Sequence, residues 1–256
     1  MTLHTLCVVN QKGGVGKTTT TINLGAALAN KGLNVLLIDL DPQGHLTEGF
    51  GVHEEYTKDS TNIYELLSSE SKENLSALVV NVENLKLIPS HIRLFLAEQS
   101  LATQRGRELR LKRLIDGMPN KPDWIVIDCP PSLGALTDNA IYASREVLIP
   151  VQAEDTSIRA LEILLDQIQS LEQALGVKVK ILGILPNMVE DTKLSKSVLV
   201  SLRKLLPITF PFEIRKRVKL KEAWACGQSI FKYDPGSDLI PVYNMLADEI
   251  IKRAER

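Results

Sequence analysis

The stretch between residues 3 and 30 constrains the fold more than any other part of this 256-residue chain. An apolar run, Leu3–Val9, is followed by the glycine-rich segment QKGGVGKTTT and by a helical pattern over Lys17–Asn30. Glycines let a backbone curl so that successive N–H groups point at one anion, and the amino terminus of the following helix adds positive potential. The order of strand, glycine loop, Lys-Thr and helix predicts a phosphate-binding loop, because an incidental lysine in a βα turn would not bring all four together.

Apolar runs alternate with amphipathic stretches along the rest of the chain. The expected strands are Asn34–Asp39, Leu85–Ile88, Trp124–Asp128, Val147–Val151 and Lys178–Leu185, and the expected helices are Gly106–Gly117, Ser157–Leu175, Ser195–Leu205 and Leu239–Ala254. Such alternation predicts an α/β fold with a mostly parallel, twisted sheet and helices on both faces. The polar segment Gly49–Glu83 is expected to leave the sheet, and the lack of a linker-like tract predicts one domain over residues 1–256.

Composition excludes several classes of protein. Hydrophobic residues make up 44% of the chain, enough for a sizeable core. The three cysteines, Cys7, Cys129 and Cys226, lie too far apart for a disulfide framework or a local zinc site. No apolar run approaches the roughly 20 residues that a membrane-spanning helix needs. We therefore expect a soluble protein of a reducing compartment.

The net charge of −1 conceals an uneven distribution of charged residues. Between Thr192 and Lys221 lie nine basic residues and one acidic residue, Glu213, which gives this stretch a balance of +8. Such asymmetry predicts a surface that faces a polyanion, although a solvated helix face would carry the same charges.

The phosphate-binding loop departs from the common form. A second lysine, Lys12, begins the run KGGVGKTT, and the usual Gly-x-x-x-x-Gly-Lys-Thr pattern is met only if its first glycine is relaxed. This run resembles the deviant Walker A motif of the ParA/MinD family of ATPases, in the short form of ParA-type partition ATPases. The resemblance extends from about Leu3 to the final helix and includes DLDPQG, DCPP, LIPS and YDPGS. It implies a P-loop fold that hydrolyses ATP with Mg²⁺.

The resemblance assigns roles to the residues of the loop. Lys17 would contact the β- and γ-phosphates, Thr18 would ligate Mg²⁺, and Thr19 would contact the α-phosphate. Lys12 would cross a dimer interface to the nucleotide of the other subunit, so that two chains enclose two ATP molecules. The remaining nucleotide-binding positions of the loop are Gly13, Gly14, Val15 and Gly16.

Three aspartates lie at the ends of expected strands, where ligands bind in open α/β sheets. By the resemblance, Asp39 would help to hold hydrated Mg²⁺ and Asp41 would orient or activate the attacking water. Asp128, in a Walker B pattern, would accept a hydrogen bond from a Mg²⁺-bound water. Together with Lys12 and Lys17, Asp41 makes up the predicted catalytic set. Aspartates after a strand could instead cap the next helix.

The resemblance also covers a base pocket. Asn187, which follows a strand in GILPNMVED, would contact adenine. Pro211, Phe212 and Glu213 would close the other side of the base, although Phe212 could instead be a core residue. No N-K-x-D tetrapeptide for reading guanine is found, which favours ATP over GTP.

A DNA surface is implied by the segment EIRKRVKLKEA, Glu213–Ala223. Lys216 and Lys219 match two arginines with which ParA-type proteins bind DNA without sequence preference. Arg215 and Arg217 would be additional cations at the same surface. Lysine in place of arginine suits point contacts with phosphates more than bidentate reading of bases.

The implied function is that of an ATPase that dimerises and binds DNA non-specifically in its ATP state. With a cargo-bound, ParB-like partner that stimulates hydrolysis, it would partition or position a plasmid, a chromosome origin or a protein organelle such as a carboxysome. The implied location is the cytoplasm, in association with the nucleoid and not with a membrane.

Other readings of the chain remain open. A MinD-like ATPase of the membrane surface would need an amphipathic helix after the last core helix. A small-molecule kinase or ligase could also use this fold. An iron–sulfur reductase of the same fold would need a pair of cysteines at a dimer axis, which Cys129 and Cys226 do not provide.

Overall fold

The computed structural model describes residues 3–58, 61–68, 74–102, 104–154 and 156–256. Its strands are β1 His4–Val8, β2 Val35–Asp39, β3 Val80–Val82, β4 Leu85–Ile88, β5 Trp124–Asp128, β6 Glu146–Gln152 and β7 Lys180–Asn187. They form one sheet in the order β3-β4-β2-β5-β1-β6-β7. Neighbouring strands are parallel except for β3 and β4, which confirms the predicted mostly parallel sheet.

Helices connect the strands and cover both faces of the sheet. The α-helices are α1 Lys17–Asn30, α2 His45–Glu48, α3 His53–Thr57, α4 Ile63–Ser68, α5 Ala97–Ala102, α6 Arg110–Asp116, α7 Ala135–Ser144, α8 Thr156–Leu175, α9 Lys193–Leu205, α10 Val218–Ala225, α11 Ile230–Tyr233 and α12 Leu239–Ala254. Short 3₁₀ turns cover Leu75–Leu78, Ile92–Leu96 and Arg107–Leu109. Of the helices in the described ranges, none is long and apolar enough to cross a bilayer.

Side chains of the central strands point alternately into two hydrophobic cores. Cys7 and Val9 lie in one core, against which α4 to α8 pack, while Leu6 and Val8 lie in the other, which contains residues of α1 and α12. Strands that are buried on both faces read as continuous apolar runs, and this is why the sequence pattern locates them.

Several parts of the fold differ from the sequence-based expectation, and two of them have a clear physical reason. The segment Gly49–Glu83 was expected to leave the sheet, and this is wrong at its end, because Val80–Val82 pairs with β4 as an antiparallel edge strand. Three residues are too few for a strand periodicity to be visible. Helix α7 was not expected, since Thr137 and Asn139 are buried along with its apolar residues and no amphipathic stripe results. Residues 59, 60 and 69–73 of the first segment lie outside the described residues.

The parallel arrangement brings the carboxyl ends of the central strands to one edge of the sheet. Asp128 at the end of β5 is paired in register with Asp39 of β2 on one side and with Val8 of β1 on the other. The phosphate-binding loop follows β1 directly, so the loop and both aspartates meet at this edge.

Candidate active site

The loop between β1 and α1 is fastened at its start by Asn10. This side chain is buried, donates from Nδ2 to the carbonyl oxygen of Pro150 at 2.7 Å, and accepts from the backbone N–H of Lys12 at 2.9 Å. Gly14 and Gly16 have φ of 76° and 84°, a region of backbone space that favours glycine. The hydrogen bonds of Asn10 and the glycine conformations therefore define the shape of the loop.

Asn187 holds the other end of the loop through a hydrogen bond. It is the last residue of β7, it is buried, and its Nδ2 donates to the carbonyl oxygen of Val15 at 2.8 Å. A Cβ atom at Gly16 would lie 2.4 Å from Nδ2 of Asn187, so this close approach also requires glycine. The side-chain oxygen of Asn187 accepts from the N–H of Met188 at 2.9 Å. Its predicted contact with adenine stays a prediction.

Lys17 and Thr18 begin α1 beside the Walker B aspartate. Lys17 is only 7% exposed, and burial lowers its pKa, an effect that Asp128 and Asp41 oppose. Thr18 donates from Oγ1 to Oδ2 of Asp128 at 2.7 Å, and Thr21 donates to the other oxygen at 3.3 Å. The predicted phosphate and metal residues of the loop thus lie next to the predicted carboxylate.

Asp39 and Asp41 are joined by a network of hydrogen bonds. Oδ2 of Asp39 accepts from both the N–H and the hydroxyl of Thr47, at 2.8 and 2.7 Å, and Oδ1 accepts from the N–H of Asp41 at 3.1 Å. Ser90 donates its N–H to Thr47 and its hydroxyl to the carbonyl oxygen of Asp41, at 2.8 and 2.6 Å. Neither Thr47 nor Ser90 was predicted from the sequence, although Ser90 ends the LIPS motif and Thr47 lies three residues after DLDPQG.

The electrostatics of the site fit a divalent cation. Burial, and then proximity to Asp128, raises the pKa of Asp39 well above its usual range, and burial raises the pKa of Asp128 to about 7. Burial also raises the pKa of Asp41. Lys17 is buried beside Asp41 and Asp128, and a bound divalent cation would relieve the mutual repulsion of the three carboxylates.

The arrangement suits Mg²⁺ in particular. Within the described ranges, no group of three or more His, Cys, Asp or Glu side chains is placed to hold a metal ion by itself. Mg²⁺ usually keeps several waters and binds through one or two protein oxygens plus phosphate oxygens. The hydroxyl of Thr18 as a direct ligand, with Asp39 and Asp128 acting through water, would match that preference.

A cavity of about 770 Å³ opens beside the loop and the aspartates. This volume lies within the range of about 300–1,000 Å³ that is typical of small-molecule sites. Its lining includes predicted nucleotide-binding residues and, unexpectedly, cations that were predicted to face DNA. The lining residues are Gly13, Gly14, Gly16, Lys17, Thr18, Thr19, Asp41, Gln43, His45, Pro131, Asn187, Met188, Arg215, Lys216, Arg217, Leu220, Lys221, Trp224 and Ala225.

The structure does not bring Pro211, Phe212 and Glu213 to the lining of this cavity. Phe212 stacks on Phe210, with ring centroids 5.2 Å apart, and packs against the core that contains α1. Glu213 forms an ion pair with Arg203 at 2.8 Å. Phe212 thus has the core contacts that were the alternative reading, and a base-contacting role for these three residues stays a prediction.

The basic segment, Glu213–Ala223, is only partly helical. Arg215, Lys216 and Arg217 precede α10, whereas Lys219 lies within it. Acidic residues from outside the segment neutralise part of its charge. The ion pairs are Lys216–Glu190 at 2.6 Å, Arg217–Asp238 at 2.8 Å and Lys219–Asp234. The balance of +8 counted along the sequence therefore overstates the charge of this surface.

Lys12 lies at the start of the loop with its side chain 27% exposed. Its Nζ forms an ion pair with Glu154 at 2.5 Å. The predicted contact of Lys12 with a second subunit's nucleotide concerns a dimer and stays a prediction.

The parallel sheet, the glycine loop at its carboxyl edge and the flanking aspartates define a P-loop nucleotide-binding protein. Residues 3–181 match the family described as AAA domain. The chain is 40% identical over 247 residues to the sporulation initiation inhibitor protein Soj of Bacillus subtilis, covering 96% of this chain and 97% of that protein. It is 39% identical over 251 residues to the chromosome-partitioning ATPase Soj of Treponema pallidum, covering 97% of each.

Solved structures agree with this assignment. The ATP complex of a single-residue variant of Cyanothece McdA superposes with a TM-score of 0.86 at 26% identity, covering 98% of this chain and 96% of that one. A Mycobacterium smegmatis protein named cobyrinic acid a,c-diamide synthase, with bound ATP analog and magnesium, gives a TM-score of 0.82 at 33% identity, covering 99% and 96%. The chain belongs to the ParA/MinD family of P-loop ATPases, among the Soj/ParA-type partitioning ATPases.

Proposed function

We propose that this partitioning ATPase dimerises in its ATP-bound state and in that state binds DNA without sequence preference, so that a cargo can be partitioned or positioned. As a family member it binds ATP with Mg²⁺ and hydrolyses ATP. One observation carries the proposal: Lys17, Thr18 and Asp41 line the same cavity as the cations Arg215 and Lys216. The nucleotide and the DNA-facing residues are thereby close enough to influence each other.

The hydrolytic step follows from the placement of the loop and the aspartates. Lys17 and the loop N–H groups would hold the phosphates of ATP, and Thr18 would hold Mg²⁺, which supplies neutralisation of phosphate charge when bound. Asp41 lines the cavity and would orient the water that attacks the γ-phosphate. Hydrogen bonds from Gln43 to its side chain at 2.9 Å and from Ser90 to its carbonyl oxygen at 2.6 Å fix its position.

Dimerisation would move Lys12 from Glu154 to the nucleotide of the second subunit. The existing ion pair is partly exposed, and such pairs contribute at most about 1 kcal/mol, so little is lost when it opens. Lys12→Gln should abolish the ATP-dependent dimer in sedimentation velocity, whereas Glu154→Gln should retain or strengthen it. Loss of the dimer in both variants, or in neither, would contradict this role of Lys12.

DNA binding would use the basic segment. Its ion pairs with Glu190, Asp234 and Asp238 are exposed, and exposed pairs exchange readily for a phosphate of DNA. Arg215 and Lys221 form no ion pair with any residue that the structure describes, so they are available without exchange. A dimer would double this set of cations, and each phosphate neutralised would steepen the salt dependence by about 0.9 log unit per log unit of salt.

The experiment is the retention of an arbitrary DNA fragment by the purified protein. ATP-Mg²⁺, ADP-Mg²⁺ and no nucleotide are compared at moderate salt, with Asp41→Ala alongside to trap the ATP state. We expect retention only with ATP, longer-lived in Asp41→Ala. The double variant Lys216→Glu, Lys219→Glu should lose retention and keep ATP hydrolysis, while the charge-matched control Lys193→Glu, Lys204→Glu should bind DNA.

Two results would contradict the proposal. Equal retention of DNA in all nucleotide states would contradict the control of DNA binding by the nucleotide. Unchanged DNA retention in the double variant would contradict the assignment of DNA binding to the basic segment. A cargo-bound, ParB-like partner would be sought next, as a protein that raises ATP hydrolysis in the presence of DNA, and nucleoid association would be tested by fluorescence microscopy.

The membrane-surface alternative is less well supported. Ile250 is buried and Ile251 packs against the core that contains α1, so the last helix uses these apolar residues internally. Sedimentation with anionic liposomes tests this alternative, and we expect no ATP-dependent binding.

A ligase is the second candidate, because one structural relative is named a diamide synthase. ATP consumption that depends on cobyrinic acid and ammonia, and not on DNA, would favour it. We expect no such dependence, since Lys12 and the basic cations would have a role in the proposed DNA-bound dimer and none is evident in amidation.

A further inference from the structure

Trp224 joins the basic helix α10 to the segment that carries the hydrolytic aspartates. Its indole Nε1 donates to the carbonyl oxygen of His45 at 2.8 Å, and the rings of His45 and Trp224 meet edge to face with centroids 6.3 Å apart. His45 is the first residue of α2, four residues after Asp41. Trp224 also lines the nucleotide cavity, together with Leu220 and Lys221 of its own helix.

Close packing around Gly49 makes this contact tight. A Cβ atom at Gly49 would lie 2.6 Å from Cδ1 of Trp224 and 2.8 Å from Cδ1 of Ile22, so the indole fills the space that a side chain would need. The φ of Gly49 is −63°, which any residue can adopt, so steric contact and not backbone strain is the constraint here. Just after α10, a Cβ atom at Gly227 would lie 3.2 Å from the backbone nitrogen of Gly51. The end of α10 therefore packs on the end of the aspartate-bearing segment at two points.

The other end of this connection reaches the reaction site. The N–H of Gly44, which precedes α2, donates to the carbonyl oxygen of Asp41 at 2.9 Å. Thr47, within α2, donates two hydrogen bonds to Asp39. A shift of either aspartate on nucleotide binding would move α2, and Trp224 is positioned to carry that movement to α10.

We propose that Trp224 is a positioning residue that transmits the nucleotide state from the segment 39–49 to the basic helix α10. The functional consequence rests on the proposed ATP-dependent DNA binding, whereas the coupling between the two segments does not. The orientation of Lys219 and Lys221 then follows the occupancy of the cavity, and DNA affinity changes with it. A coupling of this kind requires an element with two arrangements that both sites bias, and α2 together with α10 would be that element.

Hydrogen exchange with and without ATP-Mg²⁺ tests the coupling directly. In the wild-type protein, ATP should change the protection of amides in both the segment 39–49 and α10. In Trp224→Phe, which keeps a ring and loses the N–H, the first change should persist and the second should weaken. Gly49→Ala adds a methyl group that would collide with the indole of Trp224, and it should weaken the change in α10 in the same way. Tyr233→Phe is the matched control, because it removes one hydrogen bond of 3.2 Å between α11 and Glu222 of α10.

The outcomes separate this inference from the proposed function. If ATP changes the amide protection of α10 equally in Trp224→Phe, Gly49→Ala and wild type, the role of Trp224 is overturned. It is also overturned if ATP does not change the protection of α10 in the wild type. Loss of the response in both segments would place Trp224 in nucleotide binding itself and would also overturn it. In the DNA assay at saturating nucleotide, Trp224→Phe should lower the ATP-to-ADP ratio of retention about fivefold, the effect of one neutral hydrogen bond. If the wild type retains no DNA at all, the proposed function fails, and the exchange result still decides the coupling.

Discussion

The phosphate-binding loop and the basic segment line one cavity, but different forces hold them in place. Asn10, Lys17 and Asp128 are buried, and short hydrogen bonds fix Asn10 and Asp128 within the loop region. The cations of the basic segment lie at the surface, and three of them are paired with carboxylates that solvent also reaches. Buried hydrogen bonds hold the first region, whereas the second can exchange its partners. A nucleotide site held by buried hydrogen bonds, beside surface cations that can exchange partners, is the combination that the proposed nucleotide-controlled DNA binding requires.

The largest expected effect concerns the phosphate-binding loop. Lys17→Ala removes a buried cation that is predicted to bind the phosphates of ATP, and we expect kcat/KM for ATP hydrolysis to fall about a hundred- to a thousandfold. Lys204→Ala, an exposed cation of α9, serves as the control. A Lys17→Ala variant with nearly normal kcat/KM would show that the loop does not hold the substrate.

The second prediction concerns pH in the nucleotide-free protein with a metal chelator. Because the pKa of Asp128 is raised to about 7, the folded chain keeps this proton over a range in which the unfolded chain has lost it. Stability should therefore fall as pH rises from about 4 to about 7, by up to about 4 kcal/mol from this group, and Asp39 and Asp41 act in the same direction. Lys216 and Lys219, whose pKa values are raised by their ion pairs, titrate far above this window and should contribute nothing.

Urea unfolding at pH 5.5 and at pH 7.5 measures this effect. Asp128→Asn should reduce the difference between the two values. Stability that rises with pH in the wild type would contradict the raised pKa values of these buried carboxylates.

The third prediction compares the stability lost with a buried asparagine side chain and with an exposed one. Asn10→Ala leaves the carbonyl oxygen of Pro150 and the N–H of Lys12 without their partner, and we expect a loss of about 2 kcal/mol in the free energy of unfolding. Asn34→Ala is the control, since Asn34 is exposed and its side chain donates to Asp123 at 3.3 Å, whereas the 2.8 Å bond to the same carboxylate comes from its backbone N–H and is kept. Equal, small losses in both variants would indicate that the loop is not held by Asn10.

The smallest expected effect concerns the basic segment. Glu190→Gln removes the partner of Lys216 and should leave the urea midpoint unchanged, because exposed ion pairs add little to stability. It should strengthen ATP-dependent DNA retention a few-fold and steepen its salt dependence by up to about 0.9 log unit per log unit of salt. Weaker retention in Glu190→Gln would mean that this ion pair positions Lys216 for DNA instead of competing with it.

The same contrast explains how much the sequence could predict. The bounds of α1, β4, β5 and α12 agree with the sequence pattern, because buried strands and amphipathic helices leave a local periodic signal. The meeting of Lys17, Thr18, Asp39 and Asp128 was also predictable, since each lies at the carboxyl end of a parallel strand or in the loop after one.

Long-range partners were not predictable. The bond from Asn10 to Pro150 spans 140 residues, and Glu190, Asp234 and Asp238 lie outside the stretch in which the charge was counted. The contact between Trp224 and His45 spans 179 residues. Local patterns specify backbone geometry, but the pairing of side chains from distant segments depends on the packed fold.

The measurement that tests the central claim most directly is analytical ultracentrifugation of the protein with a fluorescent DNA fragment of arbitrary sequence. We predict that the DNA co-sediments with a two-chain species in ATP-Mg²⁺, and sediments alone in ADP-Mg²⁺ or without nucleotide. DNA carried equally in ADP, or by a single chain, would contradict the account, because the cations of the basic segment would then bind DNA independently of the nucleotide in the cavity.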